Sequence, residues 1–353
     1  MTTKIPADER ARPRAASTRI LGLTASLVLL VLAIVASIAI GSRDIPIDVV
    51  WGTLLGPGGP FGAATGASTD AIVILDSRLP RTAIAIAAGL ALGVSGALIQ
   101  AVTRNPLADP GILGVTSGSA FAVAIAVGVL GITSVQGYLW FAFCGALLAT
   151  VVVYLIGSVG REGSSPVRLT LTGVALGAVL SGIVSAMLLA NPEGFQAMRA
   201  WESGSLEGRG WDGVVPVLPF IAAGCVIAVV IARSLNAIAL GDDLAASLGA
   251  RVGRTRVLAI LAVSLLAGGA TAIAGPIAFV GLMIPHVARW IVGPDQRWIV
   301  GYSIVLGPIL LLVADVIGRI VLRPGELPAG IVTACIGAPV LIALVRRQKA
   351  FGL

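Results

Sequence analysis

Charged residues are scarce in this sequence. Of its 353 residues, 12% are charged and 57% are hydrophobic, whereas a soluble globular domain carries about 25% charged residues. The mean hydropathy is +1.00. A chain of this composition is not expected to fold as a soluble domain, and lipid is the solvent that its apolar surface fits.

The residue types that carry most enzyme chemistry are also rare. The only histidine is His286, which lies inside an apolar run, and the only lysines are Lys4 and Lys349. Neither lysine follows a glycine-rich loop, which excludes an ATPase site of the P-loop type. A site for a naked transition metal needs several His, Cys or carboxylate ligands. The sequence therefore predicts no enzyme, no metal site and no cofactor.

Cysteine is nearly as scarce. Cys144, Cys225 and Cys335 all lie inside apolar runs. None belongs to a C-x-x-C pair, so they indicate neither a disulfide nor a metal framework. We interpret them as small buried hydrophobic residues.

Long apolar runs are what the sequence has instead. Residues 20–40 carry no charge over the length of about 20 residues that spans a hydrocarbon core. The predicted spans are 20–40, 79–101, 112–131, 137–158, 169–190, 214–234, 257–274, 276–292, 299–318 and 328–345. We predict an all-α polytopic membrane protein of about ten transmembrane helices. Residues 1–19 are predicted to be a disordered basic cytoplasmic tail, and residues 20–349 a single transmembrane domain.

The basic residues indicate an orientation. The net charge is +7, and most lysines and arginines fall in the segments that are inside if both termini are cytoplasmic. This is the positive-inside bias, which points to membrane lipid rather than nucleic acid as the partner of the basic residues. A signal peptide is the alternative for the first span, but its apolar stretch is longer than the 7–15 residues that are typical of one.

Glycine is abundant, and the glycines are spaced. Gly89, Gly93, Gly96 and Gln100 share one face of the second span. Small residues on one face let membrane helices approach closely. We predict close helix packing along this face; the alternative is that such a stripe lines a smooth translocation path.

One ionisable pair lies near membrane depth. Asp315 and Arg319 are spaced i, i+4 on one helix face and can neutralise each other. A lone carboxylate inside a membrane would indicate a proton relay, and so a secondary transporter. Because Arg319 is one turn away, a structural pair or a docking site is the favoured interpretation.

Four motifs occur in the order in which one transport family carries them. They are RLPRTAIAIAAGLALGVSGALIQAVTRNPLADPGILGVTSGS (78–119), LNAIALGDDLAASLGARVGRTR (235–256), AGPIAFVGLMIPHVARWIVG (274–293) and ELPAGIVTACIGAPVLIALV (326–345). The sequence resembles the FecCD family over nearly the whole chain from about residue 20. Members of this family are permease subunits of ATP-binding-cassette (ABC) importers for ferric siderophores, haem and cobalamin.

The resemblance implies the architecture of a type II ABC importer permease, with ten helices. Two permease subunits, as a homodimer or heterodimer, form the pathway at their interface. Two copies of an ATP-binding ABC subunit hydrolyse ATP on the cytoplasmic side, and an extracytoplasmic substrate-binding protein delivers the substrate. The implied location is the cell membrane.

A ferric siderophore is the predicted substrate. The shortage of metal ligands favours a ready-made organic chelate over a naked ion, and the segment WESGSLEGRGW (201–211) resembles siderophore members of the family. A cobalamin or haem permease of the same family is the alternative. A proton-coupled secondary transporter that uses Asp315 is the competing class.

The resemblance also implies a docking site on the outer face. Arg78, Arg81 and Arg319 match family positions that meet surface glutamates of the binding protein. Fixed cations at a rim steer an acidic partner and set its register. The alternative is that these arginines only anchor helix ends at the membrane interface.

The resemblance implies that the segment 235–256 couples the chain to the ATPase. Within it, apolar residues recur at helical spacing, namely Leu240, Leu244, Ala245 and Leu248, and Gly241 and Gly249 bracket the helical part. Small residues such as Ala245 are expected to allow a close fit to the partner. A helix lying on the membrane surface is the alternative interpretation.

Charged residues flank this predicted helix. Asp242 and Asp243 fall in its first turn, where carboxylates favour a helix N-terminus. Arg251, Arg254 and Arg256 follow its end, and we expect them to contact the anionic inner leaflet.

Two further expectations concern the cytoplasmic side. Ser164, Ser165 and Pro166 match the region where family members close the pathway, so they are a candidate gate, although a plain connecting loop fits the sequence equally well. His286 belongs to a shared family motif, and we expect it to be packed and hydrogen-bonded near the inner end of its helix. Arg289 is then expected to anchor that end at the lipid headgroups.

Overall fold

The fold is all-α in the part of the chain that can be described. The structure, a computed structural model, describes residues 16–56, 68–158, 166–190 and 196–350, and these contain no strand. The helices are α1 (Ala16–Ala39), α2 (Ile47–Leu55), α3 (Thr69–Ile72), α4 (Leu79–Thr103), α5 (Val115–Gly128), α6 (Val135–Ser158), α7 (Pro166–Ala190), α8 (Gln196–Glu202), α9 (Trp211–Val214), α10 (Leu218–Ile238), α11 (Asp242–Ser247), α12 (Val252–Ala274), α13 (Val280–Val292), α14 (Gln296–Val321) and α15 (Ala329–Ala350). A π-helical turn, Val73–Arg78, joins α3 to α4, and a 3-10 turn, Pro110–Leu113, precedes α5.

Seven helices are long and apolar enough to cross a membrane. They are α1, the continuous helix that ends with α4, α6, α7, α10, α12 and α14. Three shorter apolar helices, α5, α13 and α15, follow the same order as the remaining predicted spans. The prediction of an all-α polytopic membrane protein is confirmed, whereas the count of ten is not confirmed by helix length.

The break after α12 lies where the sequence predicts it. Helix α12 ends at Ala274 because Gly275 adopts a positive φ of 74°, and Pro276 follows. Glycine reaches this backbone region at no steric cost. The five residues 275–279 separate α12 from α13, and Phe279, the N-cap of α13, also has a positive φ, of 68°.

Helix α4 is the centre of the packing. It contacts α12, α13 and α14, and the predicted glycine face is where they meet. A Cβ on Gly89 would lie 2.6 Å from the carbonyl oxygen of Gly307 in α14, and a Cβ on Gly93 would lie 2.9 Å from that of Ser303. The prediction of close packing along this face is confirmed.

Two helices are left largely uncovered. Only 11% of the apolar window of α1 and 11% of that of α7 is buried inside the chain. These helices therefore offer surface to lipid or to another subunit.

The predicted tail, residues 1–19, differs from the structure at its boundary. Residues 1–15 lie outside the described residues, but α1 already begins at Ala16. The hydroxyl of Tyr302 donates to the carbonyl oxygen of Arg19, which holds this first turn against α14.

Candidate functional site

The three predicted docking arginines lie together at one end of α4. Arg78 and Arg81 flank its first residues, and Arg319 comes from the last turn of α14. Their exposed fractions are 4%, 7% and 1%. The structure therefore brings together all three residues that the sequence singles out, and it places their side chains inside the chain.

Two carboxylates hold Arg81. Its Nε and Nη2 donate to Oδ1 of Asp315 at 3.0 and 2.7 Å, and its Nη1 donates to Oε2 of Glu326 at 2.5 Å. Asp315 is completely buried and also accepts a hydrogen bond from Arg319. The predicted Asp315–Arg319 pair is thereby confirmed. We call Arg81, Asp315, Arg319 and Glu326 the Asp315 cluster; buried charges persist when they are paired and hydrogen-bonded in this way.

The other guanidinium groups close the end of α1. Arg78 and Arg319 donate at 2.6–3.0 Å to carbonyl oxygens at the last turn of α1 and just beyond it. The acceptors are Ser37, Ile38, Ala39, Ile40 and Arg43. The last carbonyls of a helix have no partner within it, and a cation there is favourable. These arginines therefore fix the end of α1 against α4 and α14.

A small polar cavity opens beside the Asp315 cluster. Its volume is about 50 Å³, and it is lined by Gly41, Ser42, Arg43, Val73, Ser77, Arg78, Arg81, Arg319 and Glu326. Burial opposes the ionisation of Glu326, but a hydrogen bond from Ser42 and the charge of Arg81 outweigh it and hold the pKa of Glu326 below its ordinary value. The lining therefore carries four cations against one carboxylate.

Two exposed arginines stand near this cavity. The side chain of Arg43 is 57% exposed and pairs with Asp70 at 2.9 Å. Arg323 is 36% exposed, pairs with Asp44 at 2.9 Å and donates to the carbonyl oxygen of Gly41. These two guanidinium groups are therefore accessible from outside the chain, unlike those of Arg78, Arg81 and Arg319.

A larger cavity lies under the segment 201–211. Its volume is about 470 Å³, and its lining is Glu202, Ser203, Pro276, Ala278, Gly330, Ile331, Ala334 and Cys335. Burial raises the pKa of Glu202.

The prediction that the three cysteines are buried is wrong for two of them. Cys144 and Cys335 are exposed, and Cys225 is half-buried. Small apolar side chains in this chain also line its surfaces and not only its core.

The predicted coupling segment forms a short helix at the other end of the chain's long helices. Gly241, with a φ of 110°, precedes α11, and Gly249, with a φ of 81°, follows it. Leu240, Leu244 and Leu248 are 61%, 50% and 65% exposed. Ala245 is completely buried against the chain's own core, so its expected fit to a partner is wrong. The exposed large apolar side chains here are Leu244 in α11 and Leu240 and Leu248 at its two ends; we call these three residues the leucine stripe.

An ion cluster ties α11 to two long helices. Arg104, which follows α4, donates to Oδ1 of Asp242. Nη2 of Arg256 in α12 donates to both oxygens of Asp242 at 3.0 and 2.8 Å. We call Arg104, Asp242 and Arg256 the Asp242 cluster. Arg256 is 8% exposed, so the expectation that it contacts lipid headgroups is wrong in this structure: its guanidinium is occupied by Asp242.

His286 is packed as expected. It is buried in α13, and its ring meets that of Trp290 edge-on at 5.1 Å. Its expected hydrogen bond is absent among the described residues. Arg289 differs from its prediction as a headgroup anchor, because it donates to the side-chain oxygen of Gln100, whose amide donates to the carbonyl oxygens of Gly281 and Leu282. Arg289 thus joins α13 to α4.

The candidate gate is not tested. Ser164 and Ser165 lie outside the described residues. Pro166 is the first residue of α7. The gate stays a prediction.

Comparison with known proteins decides the family. The FecCD transport family matches residues 29–347. The chain belongs to the FecCD family. It is 47% identical to the ferric enterobactin transport system permease protein FepD of Escherichia coli K12, over 96% of this chain and 98% of that protein. It is 42% identical to the iron(3+)-hydroxamate import system permease protein FhuB of Bacillus subtilis 168, over 93% of this chain and 83% of that protein.

A solved structure agrees with the family assignment. An inward-facing conformation of a metal-chelate type ABC transporter matches with a TM-score of 0.79 at 28% identity, over 93% of this chain and 99% of that chain. The resemblance stated from the four motifs is confirmed. The chain is a multi-pass permease of the cell membrane.

Sequence reasoning missed one member of each ion cluster. Glu326 and Arg104 each lie in a quoted motif without an assigned role. Arg81 and Asp315 are 234 positions apart, and no spacing rule connects residues at that distance. The scarcity of charge could have indicated these contacts, because in a chain with so few charges each charged residue beside an apolar span needs a partner.

Removal of the Asp315 charge should destabilise the chain strongly. Asp315→Asn leaves Arg81 and Arg319 buried without their shared carboxylate, and breaking a buried pair on one side costs about 3–5 kcal/mol. Asp44→Asn is the control, because Asp44 pairs with Arg323 at the surface, where such a pair is worth at most about 1 kcal/mol. Thermal unfolding of the two variants in detergent measures the difference. Equal melting temperatures would show that the Asp315 cluster does not stabilise the fold.

Proposed function

We propose that this chain is the permease subunit through which a ferric siderophore crosses the cytoplasmic membrane. The similarity to FepD, end to end at 47% identity, carries the proposal. The described residues contain no group of three or more His, Cys, Asp or Glu that could hold a metal ion. A permease whose described residues form no metal-binding group suits a chelate that arrives with its iron already coordinated.

The proposed assembly has two permease subunits, two ATP-binding subunits and one binding protein. Helices α5, α13 and α15 complete a ten-helix subunit with both termini in the cytoplasm. The uncovered surface of α7 and the cavity beside Cys335 face the second permease subunit and the pathway between the two. ATP is hydrolysed on the separate ATP-binding subunit.

Reconstituted uptake tests this function. Vesicles that hold the complete complex should accumulate radioactive iron from a ferric catecholate siderophore only when ATP is inside and the binding protein is outside. The matched controls are vesicles that lack the ATP-binding subunit and vesicles with ATP but a cobalamin or haem substrate. Uptake driven by a proton gradient without ATP would instead establish the secondary-transporter alternative.

The polar cavity at the Asp315 cluster is the proposed docking site for the binding protein. Its lining carries an excess of positive charge, with Arg43 at the mouth and Arg78, Arg81 and Arg319 behind it. A carboxylate on the binding protein is the complementary group. In this arrangement the exposed arginine steers the partner, and the buried arginines hold the loops that shape the cavity.

Arg43→Gln should slow the docking of the binding protein. Loss of a charge at the rim of an interface changes the association rate and its salt dependence. Here we expect the association rate to fall about tenfold at low ionic strength. Arg297→Gln is a close control, because Arg297 is also 57% exposed and paired with an aspartate, Asp295, at the other end of α14. Stopped-flow or surface-plasmon measurements on both variants at two salt concentrations check this. Equal rates for Arg43→Gln and wild type would place docking elsewhere.

The leucine stripe of α11 is the proposed contact with the ATP-binding subunit. Leu240, Leu244 and Leu248 are exposed beyond the end of α10, and no described part of the chain covers them. Leu244 lies in α11, and Leu240 and Leu248 lie at its two ends. An apolar surface on and beside a short helix fits a groove on a protein partner. The buried Ala245, on a neighbouring face of the helix, packs against the chain itself.

Leu244→Glu should weaken this contact. Burial of a leucine contributes about 2 kcal/mol, which is roughly 30-fold in affinity. Ala246→Glu is the control, because Ala246 is exposed on the other side of the same helix. Co-purification of the ATP-binding subunit with each variant measures the loss. Equal retention by the two variants would argue for the membrane-surface helix.

The segment before α7 is the proposed cytoplasmic gate. Small residues at 164 and 165 would let two copies approach across the axis of the dimer, and Pro166 would fix the start of α7. In a cysteine-free background, Ser165→Cys should crosslink to the second copy in at least one nucleotide state. Absence of crosslinks in every state would mark the segment as a plain connection.

A further inference from the structure

Asp242 occupies a junction of three helices. It is the first residue of α11, and it accepts hydrogen bonds from Arg104 at the end of α4 and from Arg256 in α12. Asp243 has the same charge in the same turn, but it is exposed and forms no ion pair among the described residues. The two neighbouring aspartates therefore differ in their contacts and not in their place in the helix.

The partner on α4 stands in an unusual backbone conformation. Arg104 caps α4 with a φ of 52° and a ψ of 30°, the left-handed region that a residue with a Cβ rarely adopts. Its backbone N–H donates to the carbonyl oxygen of Gln100, while its guanidinium reaches Asp242. The side chain of Arg104 is 39% exposed, in contrast to the nearly buried Arg256. The link between α4 and α11 is thus the most accessible contact of the Asp242 cluster.

Helix α4 connects this junction to the opposite end of the chain. It runs for 25 residues, or about 37 Å, and the glycine contacts with α14 leave its middle no room to deform. Arg81 in its first turn belongs to the Asp315 cluster, and Arg104 follows its last residue. Close-packed interiors pass on strain instead of absorbing it. A displacement at Arg104 is therefore expected to reach Arg81.

We propose that Asp242 is a positioning residue that passes the movement of α11 to α4 and α12. It acts through Arg104 and Arg256, whereas the leucine stripe supplies the contact with the ATP-binding subunit. This inference rests on the proposed function, since it requires α11 to be moved by that subunit. The alternative is that Asp242 only stabilises the N-terminus of α11 by its negative charge, a role that Asp243 shares equally.

Complete complexes in vesicles distinguish the two roles. The measured quantity is the ratio of ATP hydrolysis with the binding protein to hydrolysis without it, together with uptake of the chelate. Asp242→Asn should lower this ratio at least about fivefold, within the range of coupling between distant sites, while the ATP-binding subunit still co-purifies. Asp243→Asn should keep the wild-type ratio, and Asp242→Glu should restore most of it because the charge is kept.

A second variant tests the link from the side of α4. Arg104→Asn removes the guanidinium but keeps a residue that tolerates the left-handed conformation. It should lower the ratio, though no more than Asp242→Asn does, because the contact of Arg256 with Asp242 remains. The double variant should be no worse than Asp242→Asn alone, because Asp242→Asn already removes the contact with Arg104. If Asp242→Asn does not assemble, Arg104→Asn decides alone.

The outcomes separate this inference from the proposed function. A wild-type complex without ATP-dependent uptake would overturn the proposed function itself. Normal wild-type uptake with equal ratios for Asp242→Asn and Asp243→Asn, or an unaffected Arg104→Asn, would overturn only the positioning role. Loss of the ATP-binding subunit from Asp242→Asn complexes that otherwise fold would assign Asp242 to docking and would also reject the inference.

Discussion

A guanidinium that is taken out of water has to find its acceptors inside the protein, and this constraint organises both ends of the chain. An isolated buried charge is far costlier than any single packing defect. Arg81 therefore meets two carboxylates, and Arg319 meets one carboxylate and the open end of α1. Helices α1, α4 and α14 are joined where the charges of α4 and α14 meet each other and the carbonyl oxygens at the end of α1. The positions of these helix ends follow from electrostatics as much as from apolar packing.

Hydropathy and glycine punctuation predict most of the fold, because a span and its ends have local causes. The predicted span 137–158 appears as Val135–Ser158, and the break at Gly275 is in place. The short helices α2 and α8 were not predicted, since nine and seven residues carry too little periodicity to be distinguished from a loop. Cys144 and Cys335 show a related limit: an apolar run reveals membrane depth but not which side of a helix the chain covers.

The candidate site shows the same division between local features, which the sequence reveals, and contacts between distant residues, which it does not. The Asp315–Arg319 pair is local, at i, i+4, and the sequence reveals it. The contacts of Asp315 with Arg81, and of Asp242 with Arg104, join residues that are 234 and 138 positions apart. Family resemblance selects the three arginines but not their burial, because a motif records which residue stands at a position and not what faces it. The same holds for Arg256. The sequence predicts that it contacts lipid headgroups, but in the structure its guanidinium binds Asp242.

The distribution of charge also shows what kind of helix joins the two clusters. The Asp315 cluster and the Asp242 cluster lie at opposite ends of α4, and between Arg81 and Arg104 that helix carries no charge at all. Helix α4 is mostly buried, and its glycines pack against the backbone of α13 and α14. Because close-packed interiors pass on strain, α4 is a stiff, uncharged connection between the two clusters. Under the proposed function, such a helix would hold the end that docks the binding protein at a fixed distance from the end that faces the ATP-binding subunit.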